Sequence, residues 1–187
     1  MRRFSMVDLP LAGLKRIDRH CLADERGYLS RVFCASELAD HGWQGPVEQV
    51  NHTHTNRQGT VRGVHFQHSP HCEVKLVSVI RGEVWDVAVD LRRGSVTFLQ
   101  WHAERLSAGN DCALLIPEGF AHGFQALTDD VDMVYCHSAA YRADAEAGLN
   151  PLDPMLDIGW PLPISVISDR DRNHPPLDGG FAGVELP

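Results

Sequence analysis

The chain has 187 residues and a net charge of −8, with 43% hydrophobic and 22% charged residues. That length suits one domain with a packed core, and the acidic balance argues against a surface built to coat nucleic acid or an anionic membrane. Five cysteines (Cys21, Cys34, Cys72, Cys112 and Cys136) form no CxxC pair, which disfavours a zinc knuckle and suits reduced thiols in a cytoplasmic protein.

The N-terminal stretch MRRFSMVDLPLAGLKR opens with Arg2 and Arg3, but Asp8 and Pro10 interrupt its apolar run and Lys15 and Arg16 follow, so no signal peptide is expected. No apolar run approaches the roughly 18 residues a membrane helix needs. In ASELADHG, Ser36 suits a helix N-cap, Glu37 the first turn and Gly42 the C′ position. VRGVHFQHSPHCEVKLV (61–77) reads as strand, turn and strand. In EVWDVAVDL (83–91), Trp85, Val87, Val89 and Leu91 alternate with Asp86 and Asp90 across the two faces of a strand. VTFLQWHAERL (96–106) is a further candidate strand, and CALLI (112–116) has the short apolar run of a buried one. GFQAL and VDMVYCHS flank TDD (128–130), which reads as a hairpin loop. Beyond Tyr141 the composition turns to Ala, Asp, Pro and Gly, so short helical turns, loops and a loosely ordered tail, PPLDGGFAGVELP, are expected. The expectation is an all-β chain: one domain over 1–187, a barrel of antiparallel sheets with a few short helices, its core about 15–171 and its C-terminal cover irregular.

Two chemistries compete for the polar residues. IPEGFAHGF places Pro117, Gly119 and His122 in the spacing P-x-G-x-x-H, similar to the second motif of cupin barrels. The metal-binding cupins carry H-x-H and a later Glu in their first motif; here His65, Phe66 and Gln67 stand there, with Glu73 downstream. Gln67 is a poor ligand beside an imidazole. The H-x-H of His52 and His54 could replace it only if a strand carried it beside His122; otherwise His52, His54, His68 and His71 are surface or turn histidines. The other chemistry is proton transfer. A histidine can take a proton from carbon, a cation can hold the enolate that forms, and a tyrosine can return the proton. His65, Lys75 and Tyr135 supply those three types, and Asp171 in ISDRD supplies a carboxylate to orient the imidazole.

DERGY (24–28), QVNHT (49–53), VRGVHFQ (61–67), KLV from Lys75, GEVWDVAVDLR (82–92) and IPEGFAHGF (116–124) follow one another in order. VYCHSAAY (134–141), LDPMLDIGWPL (152–162) and ISDRD (167–171) extend the series. Together they resemble the dTDP-4-dehydrorhamnose 3,5-epimerases, cupin-fold enzymes of nucleotide-sugar metabolism. The resemblance implies a cupin-type jelly roll, a homodimer, no metal and no other cofactor. It implies epimerisation at C3, C5 or both of a nucleoside-diphosphate 4-keto-6-deoxy sugar, through an enolate.

By the same resemblance, His65 matches the base, Asp171 its paired carboxylate, Lys75 the cation near the ketone oxygen and Tyr135 the proton donor across the ring. Arg26 and Arg62 match arginines that meet sugar or diphosphate, for which a guanidinium fork is suited. Gln49 and Asn51 match polar contacts. His122, Glu146 and Arg170 match further binding positions, and Tyr141 matches the aromatic that stacks on the nucleobase.

The chain departs from the family pattern in several places. Glu73-Val74-Lys75 stands for a common Gln-Gly-Lys, Arg31 for an acidic residue, Ala140 for a second tyrosine, and GLNPLDP for an aromatic before Asp-Pro. These changes open the alternatives of a monofunctional 3- or 5-epimerase and of an enzyme for another nucleotide sugar. A metal cupin built on His65 and His122, and an inactive sugar-nucleotide binder, are further alternatives.

Overall fold

The computed structural model describes residues 2–178 and 180–186. Its strands in chain order are β1 (Phe4–Asp8), β2 (Lys15–Arg19), β3 (Leu22–Asp24), β4 (Gly27–Leu29), β5 (Gln49–Thr55), β6 (Thr60–Gln67) and β7 (Lys75–Arg81). There follow β8 (Glu83–Asp90), β9 (Trp101–Ser107), β10 (Cys112–Ile116), β11 (Phe120–Ala126), β12 (Val131–His137), β13 (Glu146–Gly148) and β14 (Val166–Ile167). Two one-turn helices, α1 (Ala35–Leu38) and α2 (Asp169–Arg172), complete the regular structure with a short 3-10 turn after α1. One sheet runs β1-β2-β10-β7-β12-β5, and a second runs β13-β6-β11-β8-β9 with β14 beside β6; β3 and β4 form a separate hairpin. Every pairing between these strands is antiparallel except β14 with β6.

Both sheets carry buried residues on both faces. Between them lie Val77, Val79 and Met133 of the first sheet against Val84, Ala88 and Phe124 of the second. The outer face of the second sheet (Val64, Phe66, Val87, Val89) is covered by Leu149, Leu156, Leu177 and Val184 from the C-terminal part. The outer face of the first (Phe4, Ile17, Leu76, Leu115) is covered by Leu38 and Trp43. Each such fully buried side chain contributes about 1.5–3 kcal/mol.

Three expectations need correction. The C-terminal tail is pinned rather than loose: the Val184 amide donates to the Leu91 carbonyl, the Arg93 amide donates to the Val184 carbonyl, and Leu177 and Val184 are buried. Gly179 and Pro187 of that tail lie outside the described residues. The strand expected from Val96 starts only at Trp101, because the Asp90 carboxylate accepts from the Ser95 and Thr97 hydroxyls and the Arg92 amide and ties the segment into turns. The helix at 35–38 is capped at Cys34 instead of Ser36, while Gly42 takes φ +110° at the end of the following turn as its position required. His52 and His54 are surface histidines, as expected: they are exposed on β5, and their side chains both bond to Asp132, away from His122. The five cysteines are unpaired thiols. Among the described residues no helix is long and apolar enough to cross a membrane.

Candidate active site

The sheets part at one end to leave a cleft of about 380 Å³. The residue types that line it follow from strand alternation. On β12, Val131, Met133, Tyr135 and His137 point inward, the first two into the core and the last two into the cleft. On β5, Gln49, Asn51 and Thr53 face the cleft. Strand β6 breaks the rule. His65 pairs with His122 and Arg62 with Phe124, so three steps on β6 oppose two on β11. This bulge lets Arg62 and His65 line the same cleft, although an unbroken strand would put them on opposite faces. Gly63 makes the bulge possible: its φ is +106°, and a Cβ there would stand 2.6 Å from the Gly123 Cα.

His65 Nε2 stands 2.8 Å from Asp171 Oδ1, which leaves Nδ1 as the ring nitrogen without a carboxylate. Asp171 Oδ2 accepts from the Gly63 amide at 3.2 Å, and Ser168 caps α2 by accepting from the Asp171 amide at 3.0 Å. Burial pushes the Asp171 carboxyl up, but the hydrogen bond and charge of His65, with the Gly63 amide, outweigh it and hold the group below its ordinary value. Lys75 Nζ lies 2.9 Å from Glu73 Oε1 and 3.5 Å from the His65 carbonyl, and both partners of the ion pair are buried. Gln67 Nε2 donates to Glu73 Oε2 at 2.9 Å and to the His71 carbonyl at 2.9 Å, and Gln67 Oε1 accepts from the Arg142 amide. The carboxamide that stands for a ligand histidine thus braces the Glu73–Lys75 pair.

The Tyr135 hydroxyl donates to the Met133 sulfur at 3.4 Å. Burial, helped by the Asp86 charge, raises its pKa far above that of a free phenol, so it stays protonated. Its ring lies edge-on to His122 and stacks on His137, with centroids 5.7 and 6.2 Å away. His122 is bound by a residue of β8 that the sequence did not mark as part of the site. Asp86, fully buried, holds His122 Nε2 at 2.9 and 3.1 Å, and burial raises its own pKa. Asp86 shares the inward face of β8 with Val84 and Ala88, because the apolar face that carries Trp85 and Val87 is packed under the C-terminal cover. His137, also missed, is driven down to about 4 by burial and by the Lys75 charge, so it is a neutral imidazole.

At the rim, the Tyr141 hydroxyl donates to Glu146 Oε2 at 2.7 Å and Arg170 pairs with the same oxygen. Gln49 Oε1 accepts from the Tyr141 amide, and Gln49 Nε2 donates to Asn51 Oδ1. Arg62 has no carboxylate partner among the described residues; its Nη2 donates to the His54 carbonyl. The cleft therefore unites His65, Tyr135, Lys75, Asp171, Gln49, Asn51, Arg62, His122, Tyr141, Glu146 and Arg170. Arg26 is the exception. It projects from the β3–β4 hairpin, 85% exposed and paired with Asp24, and does not line the cleft. His68 and His71 sit in the turn between β6 and β7.

Two packed antiparallel sheets that open at one end onto a cleft lined by an imidazole–carboxylate pair, a lysine and a phenol define a cupin-type barrel equipped for proton transfer. Comparison with known proteins narrows this. The model of one family, dTDP-4-dehydrorhamnose 3,5-epimerase, matches residues 8–179. A relative of that name from Methanothermobacter thermautotrophicus is 39% identical over 180 residues, 95% of this chain and 96% of its own. A dTDP-4-dehydrorhamnose 3-epimerase from Streptomyces niveus is 41% identical over 166 residues, 88% of this chain and 80% of its own. The crystal structure of the Bacillus anthracis 3,5-epimerase, with TDP and pyrophosphate bound, superposes with a TM-score of 0.89 at 35% identity, covering 93% of this chain and 99% of that one. The chain belongs to the dTDP-4-dehydrorhamnose 3,5-epimerase family.

Proposed function

We propose that the chain inverts C3 and C5 of a dTDP-linked 4-keto-6-deoxy sugar, working as one domain in a cytoplasmic homodimer. The observation that carries the reading is one cleft faced by a carboxylate-backed imidazole, a buried ammonium and a protonated phenol. The C4 ketone acidifies the hydrogens on its neighbouring carbons. His65 Nδ1 takes one of them, while Asp171 holds the opposite edge of the ring and stabilises the imidazolium that forms. The Lys75 ammonium faces the oxygen on which enolate charge develops. Tyr135 gives a proton to the other face of the carbon, which inverts the centre, and solvent protons restore both groups.

Arg62 and Arg170 suit the diphosphate, and Tyr141, half-exposed at the rim, suits a nucleobase face. Gln49, Asn51, His122 and Glu146 would hold sugar and nucleoside hydroxyls. Arg26 lies outside its own cleft, on a hairpin that exposes Leu22, Tyr28 and Leu29; in the proposed homodimer this hairpin meets the other protomer and Arg26 serves the partner's cleft.

A 3-epimerase is the second reading, favoured by the name of the Streptomyces niveus relative. Incubation with dTDP-4-keto-6-deoxyglucose in deuterated water separates the two by NMR. Deuterium at both C3 and C5 with inversion supports the first, and deuterium at C3 alone supports the second. Unlabelled, unchanged sugar rejects both.

A further inference from the structure

We infer that His65, Asp171 and His174 form a site for one divalent transition ion, zinc above all, and that the bound ion silences the enzyme. The second half rests on the proposed role of His65 as base; the site itself does not.

One nitrogen of each imidazole and one carboxylate oxygen of Asp171 lie within 4.8 Å of one another. Donors around a tetrahedral zinc at about 2.1 Å stand roughly 3.4 Å apart, so small side-chain rotations complete the set. Imidazole and carboxylate are the donor types zinc takes, and a three-residue set leaves one position for water.

His174 is otherwise unexplained. It does not line the cleft, and the proton transfers proposed above do not use it. Its ring stands edge-on to His65 with centroids 6.2 Å apart. Its Nε2 is buried with no hydrogen-bond partner and is packed on Gly148, where a Cβ would fall 2.3 Å from it. The bare backbone of Gly148, paired with His65 across β13 and β6, thus makes room for the ring beside the pair.

The ion would take the place of the proton between His65 Nε2 and Asp171 Oδ1, and the neutral ring that ligates through Nε2 then carries its one proton on Nδ1. Asp171 then binds the metal rather than the ring. With Nε2 on the metal and the proton on Nδ1, the ring has no free lone pair, so Nδ1 no longer removes hydrogen from carbon.

The test uses the metal-free full chain titrated with zinc chloride by calorimetry, with cobalt(II) absorbance as a ligand-field readout. A second histidine cluster must be separated. His52 and His54 share Asp132 Oδ1 at 3.0 and 2.9 Å on the exposed face of β5. The inference expects one zinc per chain, bound at least about tenfold more weakly by both His174→Ala and His174→Asn and unchanged by the double variant His52→Ala/His54→Ala. Zinc should stop deuterium exchange into the sugar in the wild type, a chelator should restore it, and His174→Ala should keep exchanging at the same zinc concentration. No zinc binding, binding that survives both His174 variants, or binding lost in the His52/His54 variant overturns the site. Zinc bound through His174 in a chain that exchanges no hydrogen even when metal-free upholds the site and sinks the epimerase reading with the silencing.

Discussion

Arg62 and His65 face one cleft although they stand three residues apart on one strand, because Gly63 and Val64 together oppose Gly123 in a bulge. The same bulge turns the Gly63 amide toward Asp171 Oδ2. A phosphate-binding cation, a base and the anchor of the base's carboxylate thus share one local irregularity.

Gly63→Ala is therefore expected to damage both stability and activity. The side chain meets the Gly123 Cα and the His122 carbonyl at 2.6 Å, and the backbone conformation itself resists a Cβ. A loss of at least about 2 kcal/mol in urea unfolding is expected, together with a fall in turnover. A variant of wild-type stability and activity would show that the bulge does not need glycine.

Asp171→Asn keeps the shape of the side chain but removes the charge that stabilises the imidazolium and can fix the wrong tautomer. Turnover should drop about 10²- to 10⁴-fold with little change in KM. A KM effect alone would make Asp171 a binding residue.

Tyr135→Phe removes the proton donor and leaves the base. Exchange of a substrate hydrogen with deuterated water should continue at one carbon while net inversion stops. An unchanged product ratio would take Tyr135 out of the reaction.

Lys75→Met leaves the Glu73 carboxylate buried with Gln67 as its remaining side-chain donor among the described residues. Destabilisation of about 3 kcal/mol is expected. Adding Glu73→Gln should recover most of the stability but none of the activity, since the enolate still lacks its cation. Denaturation curves and turnover of the single and double variants test both halves.

His137 gives the stability a pH dependence. Its folded pKa is lowered to about 4 from 6.5, so between those values acid protonates the unfolded ring first and favours unfolding. Stability should fall as pH drops through that window, by no more than about 3 kcal/mol from this group. His137→Gln should flatten that part of the curve of melting temperature against pH.

Strands β8, β10 and β12 were legible because their apolar residues alternate or run together between turn signals. Strands β2 (KRIDR) and β5 (QVNHTHT) were not, since they are polar along most of their length and are held by their neighbours in the sheet. The burial of Asp86 follows from both faces of β8 being covered, one by the other sheet and one by the C-terminal part, and local periodicity does not say which face meets which. Lys75, His65 and Tyr135 sit on strands that could be read, though the bulge that turns His65 and Arg62 to one side of β6 could not. Asp171, 106 residues from His65, is joined to it only by the fold, so motif likeness and not spacing pointed to it. The same likeness named Arg26, which one chain alone leaves outside its cleft.

The most direct measurement is deuterium uptake from solvent into dTDP-4-keto-6-deoxyglucose by His65→Asn, followed by NMR beside the wild type. Uptake at the carbons flanking the ketone should vanish in the variant while thymidine diphosphate still binds. Wild-type uptake in that variant would contradict the assignment of His65 as the group that removes the proton.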